Sequence, residues 1–176
     1  KYSYKAIRNK ISSAKNELME PEDLAKFSTN DMDDLVVDVY KKYKEKLRTN
    51  NSVDFDDLLM LPITLFRKYP EVLRFYQDRF KYILIDEYQD TNEAQYILTK
   101  MISAKYRNIT VVGDADQAIF TWRGANYKNI LNFEKDYKEA KTVLLEENYR
   151  STKTILNAAN NVIKNNKIRK EKNLWT

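Results

Sequence analysis

Tyr82-Ile83-Leu84-Ile85-Asp86-Glu87-Tyr88-Gln89-Asp90-Thr91-Asn92 is the stretch whose reading decides the fold. Four apolar residues run directly into two acids. A run this short and this apolar reads as a strand buried on both faces, as in a parallel sheet. The pattern recurs twice: Ile109-Thr110-Val111-Val112 ends in Gly113-Asp114, and Thr142-Val143-Leu144-Leu145 ends in Glu146-Glu147-Asn148. Helical spacing fills the intervals, with Ala94, Ile97, Leu98, Met101 and Ile102, then Tyr127 to Phe133, then Ile155, Leu156, Ala159, Val162 and Ile163. Alternation of this kind predicts an α/β fold, with a parallel three-stranded sheet covered on both faces by helices. Asp90 or Thr91 is expected to start the helix after the first strand, and Ser151 to cap the last one.

Upstream the period is helical throughout. Ile7, Ile11, Ala14 and Leu18 form one stripe, with Pro21 expected to stop that helix. Residues 21–31 read as a loop or short helix. Leu35, Val36, Val39, Tyr40, Tyr43 and Leu47 form the next stripe, and Thr49-Asn50-Asn51-Ser52 is a turn and the best internal boundary. Asp54 is a candidate cap for the helix that follows, with Asp56 and Asp57 in its first turn and Pro62 expected to kink it. Pro70 suits the first turn of a further helix carrying Val72, Leu73, Tyr76 and Phe80.

Composition excludes several chemistries. The 176 residues contain no Cys and no His, which removes disulfides, thiolate nucleophiles, zinc fingers and His-dependent triads. Oxygen ligands for hard cations such as Mg2+ remain. The only two glycines, Gly113 and Gly124, lie too far apart for any phosphate-cradling glycine loop. No apolar run approaches the roughly 18 residues that a membrane helix needs. The chain opens on Lys1-Tyr2-Ser3 and closes on Leu174-Trp175-Thr176, so the expectation is a piece of a longer protein. The net charge is +5, from 31 Lys+Arg and 26 Asp+Glu. It is uneven, because Arg150, Lys153, Lys164, Lys167, Arg169, Lys170 and Lys172 all follow the third apolar run. Such a stretch is either a solvated helix end or a phosphate-binding edge.

In parallel sheets, ligands bind beyond the carboxyl ends of the strands. An apolar strand delivering Asp86 and Glu87 there suits Mg2+-dependent nucleoside triphosphate hydrolysis, one carboxylate holding the metal and the other polarising water. A capping cluster is the bland alternative. After the second run, Gln117 can donate to and accept from a terminal phosphate. Phe120, Trp122 and Arg123 make an aromatic and basic cluster of the kind that grips single strands by stacking. After the third, Arg150 stands just before a helix start, where a phosphate would also meet free N–H groups. Tyr149 offers a flat face for a base. For Arg150 the bland reading is a salt bridge to Glu146 or Glu147, and for Phe120 and Trp122 it is core packing.

Together these blocks resemble superfamily 1 DNA helicases of the UvrD/Rep/PcrA type. Asp86-Glu87-Tyr88-Gln89-Asp90-Thr91-Asn92 resembles the family's Walker B motif. Val112-Gly113-Asp114-Ala115-Asp116-Gln117 through Trp122-Arg123-Gly124-Ala125 resembles the third motif, and Glu147-Asn148-Tyr149-Arg150-Ser151-Thr152 the fourth. Ser12-Ser13-Ala14-Lys15-Asn16-Glu17-Leu18 and Asp54-Phe55-Asp56-Asp57-Leu58 match further segments. The resemblance implies ATP and Mg2+ as cofactors, with Asp86 on the metal, Glu87 activating water, Gln117 and Arg150 on the γ-phosphate and Tyr149 stacked on adenine. Phe120, Trp122 and Arg123 would contact DNA. It further implies that residues 1–50 are part of a helical accessory subdomain. Residues 51–176 would then be the C-terminal part of the first RecA-like domain, without its Walker A segment.

Phe120, Thr121, Ala118 and Asn126 depart from the common Tyr, Arg, Ser and Asp. The implied partners are single-stranded and duplex DNA and the remainder of the parent helicase, in the bacterial cytoplasm, with 3′→5′ polarity. The isolated chain is expected to be inactive as an ATPase and, through an exposed sheet edge, to self-associate. Two other functions stay open from the residues: a single-stranded DNA-binding module without catalysis, and a carboxylate–metal nuclease on Asp86, Glu87 and Asp114.

Overall fold

The computed structural model describes residues 2–119, 124–166 and 171–176. The N-terminal part is helical: α1 (Tyr4–Asn16), α2 (Pro21–Ala25), α3 (Asp31–Thr49), α4 (Asp57–Lys68) and α5 (Pro70–Arg79). Asn30 starts α3 by accepting from the backbone N–H of Met32 at 3.0 Å and of Asp33 at 3.1 Å. Three acids in its first turn and Lys46 and Arg48 in its last complement the helix dipole. Ile11 and Ala14 of α1 close on Val36 and Tyr40 of α3, forming the core of this part. The Tyr40 hydroxyl satisfies itself on the Met19 carbonyl at 3.1 Å.

Pro21 does not stop α1. The helix ends before it, at Asn16, and Leu18 takes a left-handed backbone with φ +58°. The Leu18 N–H bonds to the Lys15 carbonyl at 2.9 Å and the Met19 N–H to the Ala14 carbonyl at 2.8 Å. Those two bonds make a Schellman cap, which consumes the free carbonyls of the last turn. Pro21 instead occupies the first turn of α2, where its missing N–H costs nothing. The expected turn at 49–52 is present, with Asn51 at φ +47°. Helix α4 runs through Pro62 as one element.

The sheet is smaller than the sequence pattern predicts. Strand β1 (Ile83–Ile85) pairs in parallel with β2 (Ile109–Val111), Ile83 facing Ile109 and Ile85 facing Val111. Helix α6 (Glu93–Ser103) connects them. Ile83, Ile85, Ile109 and Val111 are half-buried, whereas Leu84 between them is 77% exposed, so the pair is not covered on both faces. The third apolar run forms no strand: Val143 and Leu145 are exposed, and among the described residues the bridge nearest to it is an isolated parallel one, Glu147 to Trp175. An apolar run states fitness for a buried pleat; pairing needs a neighbour, and none of the described residues lines up beside 142–145. Helices α7 (Lys128–Asp136) and α8 (Lys153–Ile163) complete the described elements. Phe133 of α7 stacks on Tyr137 at 4.7 Å and meets the Tyr88 ring edge-on at 5.8 Å, which packs α7 under the turn that follows β1.

Two caps also differ from expectation. Helix α6 is capped by Asn92, not by Asp90 or Thr91. The Asn92 side chain accepts from the Gln95 N–H at 2.9 Å, and the Gln95 side chain accepts from the Asn92 N–H at 2.9 Å, a complete capping box. At α8 Ser151 does not cap. Asn148 Oδ1 takes the N–H groups of Arg150 and Ser151 at 3.0 and 2.8 Å, and Thr152 holds the cap position.

Candidate active site

The parallel pairing sends both strands out at the same edge, and backbone bonds keep them together beyond the strands. The Val112 N–H bonds to the Ile85 carbonyl at 2.8 Å and the Tyr88 N–H to the Val112 carbonyl at 2.9 Å. Asp86 and Glu87 therefore emerge beside Gly113 and Asp114. Glu87 holds a left-handed backbone, φ +50°, and leads into a single 3-10 turn over Tyr88–Asp90. Left-handed geometry is unfavourable for a residue with a side chain, so the fold is sustaining strain at this carboxylate.

Asp86 and Glu87 are both exposed. Asp86 Oδ1 accepts the Glu87 N–H at 2.9 Å. The other lone pairs of that carboxylate remain for solvent or a cation. A single exposed carboxylate suits Mg2+, which takes one or two protein oxygens and keeps water and substrate phosphates for the rest. Among the described residues, no group of three acids could cage a metal by itself.

Gln117 is brought to the same edge. Its Nε2 donates to Asp114 Oδ2 at 2.8 Å, and the Asp114 side chain also accepts the Asp116 N–H at 3.0 Å. Lys172 reaches back from the C-terminal segment to pair with Asp114. Burial pushes the Asp114 carboxyl up; hydrogen bonds from Lys172, Gln117 and the Asp116 N–H outweigh it, and its pKa lies below the usual value.

Tyr149 and Arg150 are not gathered into this network. Tyr149 is 86% exposed, and the Glu147 carboxylate beside its hydroxyl raises its pKa. Arg150 is exposed and, among the described residues, pairs with neither Glu146 nor Glu147, so the salt bridge considered for it does not form. Glu146 instead accepts the Asn173 N–H at 2.9 Å. Phe120, Trp122 and Arg123 lie outside the described residues.

Three residues matter here that the sequence reading passed over. Gln89, 1% exposed, donates from Nε2 to Glu87 Oε2 at 2.8 Å and accepts the Asp114 N–H on Oε1 at 2.9 Å. Lys15 is 2% exposed and binds Asp54 and Asp57 at 2.7 Å each, tying α1 to the start of α4. Asn16, next to it, joins Asp56 at 3.1 Å and also the capping residue Asn92. Asp54 was expected to cap α4, but the cap position is Asp56, whose side chain makes no cap bond. Asp54 accepts the Asp57 N–H at 2.9 Å while Asp57 accepts the Asp54 N–H at 3.2 Å, a reciprocal pair across the turn before the helix. The signal for Lys15 was its place on the buried stripe beside Ala14. A lysine there needs an acid, and Asp54-Phe55-Asp56-Asp57 supplies three.

Comparison with known proteins identifies the family. Residues 1–138 match the family model described as the UvrD/REP helicase N-terminal domain. The chain is 58% identical over 176 residues to the ATP-dependent DNA helicase PcrA of Bacillus subtilis (strain 168), covering 100% of this chain and 24% of that protein. It is 58% identical over 166 residues to PcrA of Staphylococcus aureus (strain Mu50 / ATCC 700699), covering 94% of this chain and 23% of that protein. The chain thus spans about a quarter of the length of the curated relatives it matches.

Proposed function

The chain belongs to the UvrD/REP helicase family, and from that premise we propose that it is part of the motor of an ATP-dependent DNA helicase. The parent hydrolyses ATP to move 3′→5′ along single-stranded DNA and unwind duplexes. The observation that carries this reading is the joining of Glu87 and Gln117 across the carboxyl edge of the parallel strands, through Gln89 and Asp114. A carboxylate for water and an amide for a terminal phosphate are the two groups that such a site must keep in register.

In this reading Asp86 would hold Mg2+, and the ion would supply neutralisation of the phosphate charge. Glu87 orients the attacking water and takes its proton. Gln117 contacts the γ-phosphate, and Arg150, exposed and without an ion pair among the described residues, stabilises charge there. Tyr149 presents its exposed ring to adenine. Phe120, Trp122 and Arg123 take the bases and backbone of the translocating strand. Residues 1–50 belong to the helical accessory subdomain and residues 51–176 to the first RecA-like domain, whose Walker A segment lies elsewhere in the parent. The site works in the bacterial cytoplasm, where its DNA is.

In the full-length helicase, Glu87→Gln is expected to lower kcat by about 10²–10⁴, the range for losing a general base, with KM for ATP within about twofold. Unchanged DNA-stimulated turnover would overturn the assignment. The 176-residue chain alone is expected to turn over no ATP. Turnover by the chain alone that disappears with Glu87→Gln would overturn the division of labour. A nuclease on Asp86, Glu87 and Asp114 has no observation in its favour, because Asp114 is already engaged by Gln117 and Lys172.

A further inference from the structure

Gln89 stands two residues beyond Glu87, in the 3-10 turn, and is almost wholly buried. A buried primary amide must satisfy an oxygen and an NH2 group, and here its partners leave no choice of orientation. The Asp114 N–H can only donate, so Oε1 faces it at 2.9 Å. Nε2 is thereby aimed at Glu87 Oε2, 2.8 Å away, and an ionised carboxylate can only accept. Reversing the amide would break both bonds at once. Gly113 makes room for this side chain. A Cβ at position 113 would lie 2.5 Å from Gln89 Oε1 and 2.8 Å from Ile130 Cδ1, closer than real contacts allow. The glycine is required there by close approach, since its backbone does not lie in the left-handed region.

The two bonds of Gln89 continue on either side. Toward β1 lies Glu87, held by its left-handed backbone. Toward β2 lies Asp114, whose carboxylate takes Gln117 Nε2 at 2.8 Å. Four residues thus run Glu87, Gln89, Asp114, Gln117 from one strand end to the other, Asp114 meeting Gln89 through its backbone N–H and Gln117 through its carboxylate. We infer that Gln89 is a positioning residue. It fixes the Glu87 carboxylate by holding one oxygen and leaving the other for water, and it transmits any displacement of the Gln117 loop to that carboxylate. This inference rests on the reading of Glu87 as the group that activates water.

The test uses the full-length helicase with two variants, Gln89→Glu and Gln89→Leu, assayed for single-stranded-DNA-stimulated ATP hydrolysis. Gln89→Glu keeps an acceptor for the Asp114 N–H and removes the donor to Glu87. Gln89→Leu removes both. Each is expected to lower kcat at least tenfold with KM for ATP within about twofold. In a Glu87→Gln background, followed by single-turnover quench, Gln89→Glu is expected to add less than twofold, because the carboxylate it positions is gone. A purely structural glutamine would lower melting temperature while kcat per folded molecule stayed constant; that result, or a loss of kcat that persists undiminished beside Glu87→Gln, overturns the inference. Should both Gln89 variants be insoluble, Gly113→Ala displaces Oε1 from the other side, and an unchanged kcat in that variant overturns it equally. The two readings fail separately. Full turnover in Glu87→Gln removes the proposed function together with this inference, whereas loss in Glu87→Gln beside parental kcat in Gln89→Glu removes this inference alone.

Discussion

Lys15→Met is the substitution whose outcome the structure specifies most closely. The Lys15 side chain is 2% exposed, with Nζ 2.7 Å from Asp54 Oδ2 and 2.7 Å from Asp57 Oδ1. The cation also lies over the Tyr43 ring, 5.3 Å from its centroid. At an effective dielectric of about 20, each charge pair at this distance is worth on the order of 6 kcal/mol before desolvation. Most of that is cancelled by taking the charges out of water, so the net worth of the triad is small. Removing one partner is a different matter, because Asp54 and Asp57 then face each other without a counter-charge. Breaking a buried pair in this way costs about 3–5 kcal/mol. The Asp54 side chain retains 22% exposure, so water can reach it, and the lower end of that range is expected.

The pH dependence follows from Asp54. Burial raises its pKa, but hydrogen bonds from Lys15, the Asp57 N–H and the Tyr43 hydroxyl outweigh burial and bring it below the usual 3.8. A depressed carboxyl contributes stability that is complete above the unfolded value and is lost as pH falls through the folded one. The penalty of Lys15→Met is therefore flat well above the ordinary carboxyl range and shrinks as pH falls below about 4, where protonation of Asp54 relieves the repulsion in the variant. Urea unfolding of the 176-residue chain, followed by far-UV circular dichroism, measures it. Lys15→Met combined with Asp54→Asn and Asp57→Asn should recover at least half the loss. A penalty under about 1 kcal/mol, or one that stays constant down to pH 3, would refute the electrostatic account.

Gly113→Ala is expected to cost about 1–3 kcal/mol by overpacking against Gln89 and Ile130, and an unchanged melting temperature would count against the close approach at that position. Asn92→Ala removes half of the capping box and should cost about 1 kcal/mol, with faster amide exchange in the first turn of α6 than in its middle; uniform exchange would contradict it. Leu84, Val143 and Leu145 leave apolar strand-like surface uncovered, so the chain alone should self-associate as concentration rises. Light scattering that reports one monomeric mass across a hundredfold range would dispose of that expectation.

The helical part was legible because its signals are local. The stripes of α1 and α3 recur every three to four residues, and Pro70 and the turn at 49–52 act where they stand. The corrections cluster where local signals compete. Pro21 reads as a stop, yet the Schellman bonds at Leu18 end α1 first. Asp90, Thr91 and Asn92 are all good caps, and only Asn92 has Gln95 three residues on to close the box. At the site, Asp86, Glu87 and Gln117 were named from their place after apolar runs. Gln89 was not, because a glutamine between charged residues carries no mark of burial. Lys15 is marked by its place on the buried stripe, but which acid it meets is not, since Asp54 lies 39 residues away.

By itself the sequence determined the class of chemistry and its side of the sheet. Without Cys, His or a glycine-rich loop, thiolate, imidazole and phosphate-loop chemistry were excluded, and apolar runs ending in acids put carboxylates at strand carboxyl ends. Only the tertiary structure decided which of those groups meet. It paired two of the three apolar runs and left Val143 and Leu145 in solvent, and it threaded Gln89 past Gly113 to join Glu87 to the Asp114–Gln117 loop. The reason is physical: periodicity and capping are settled within a few residues, whereas a strand's partner and a buried amide's hydrogen bonds depend on atoms that the chain brings together from far apart.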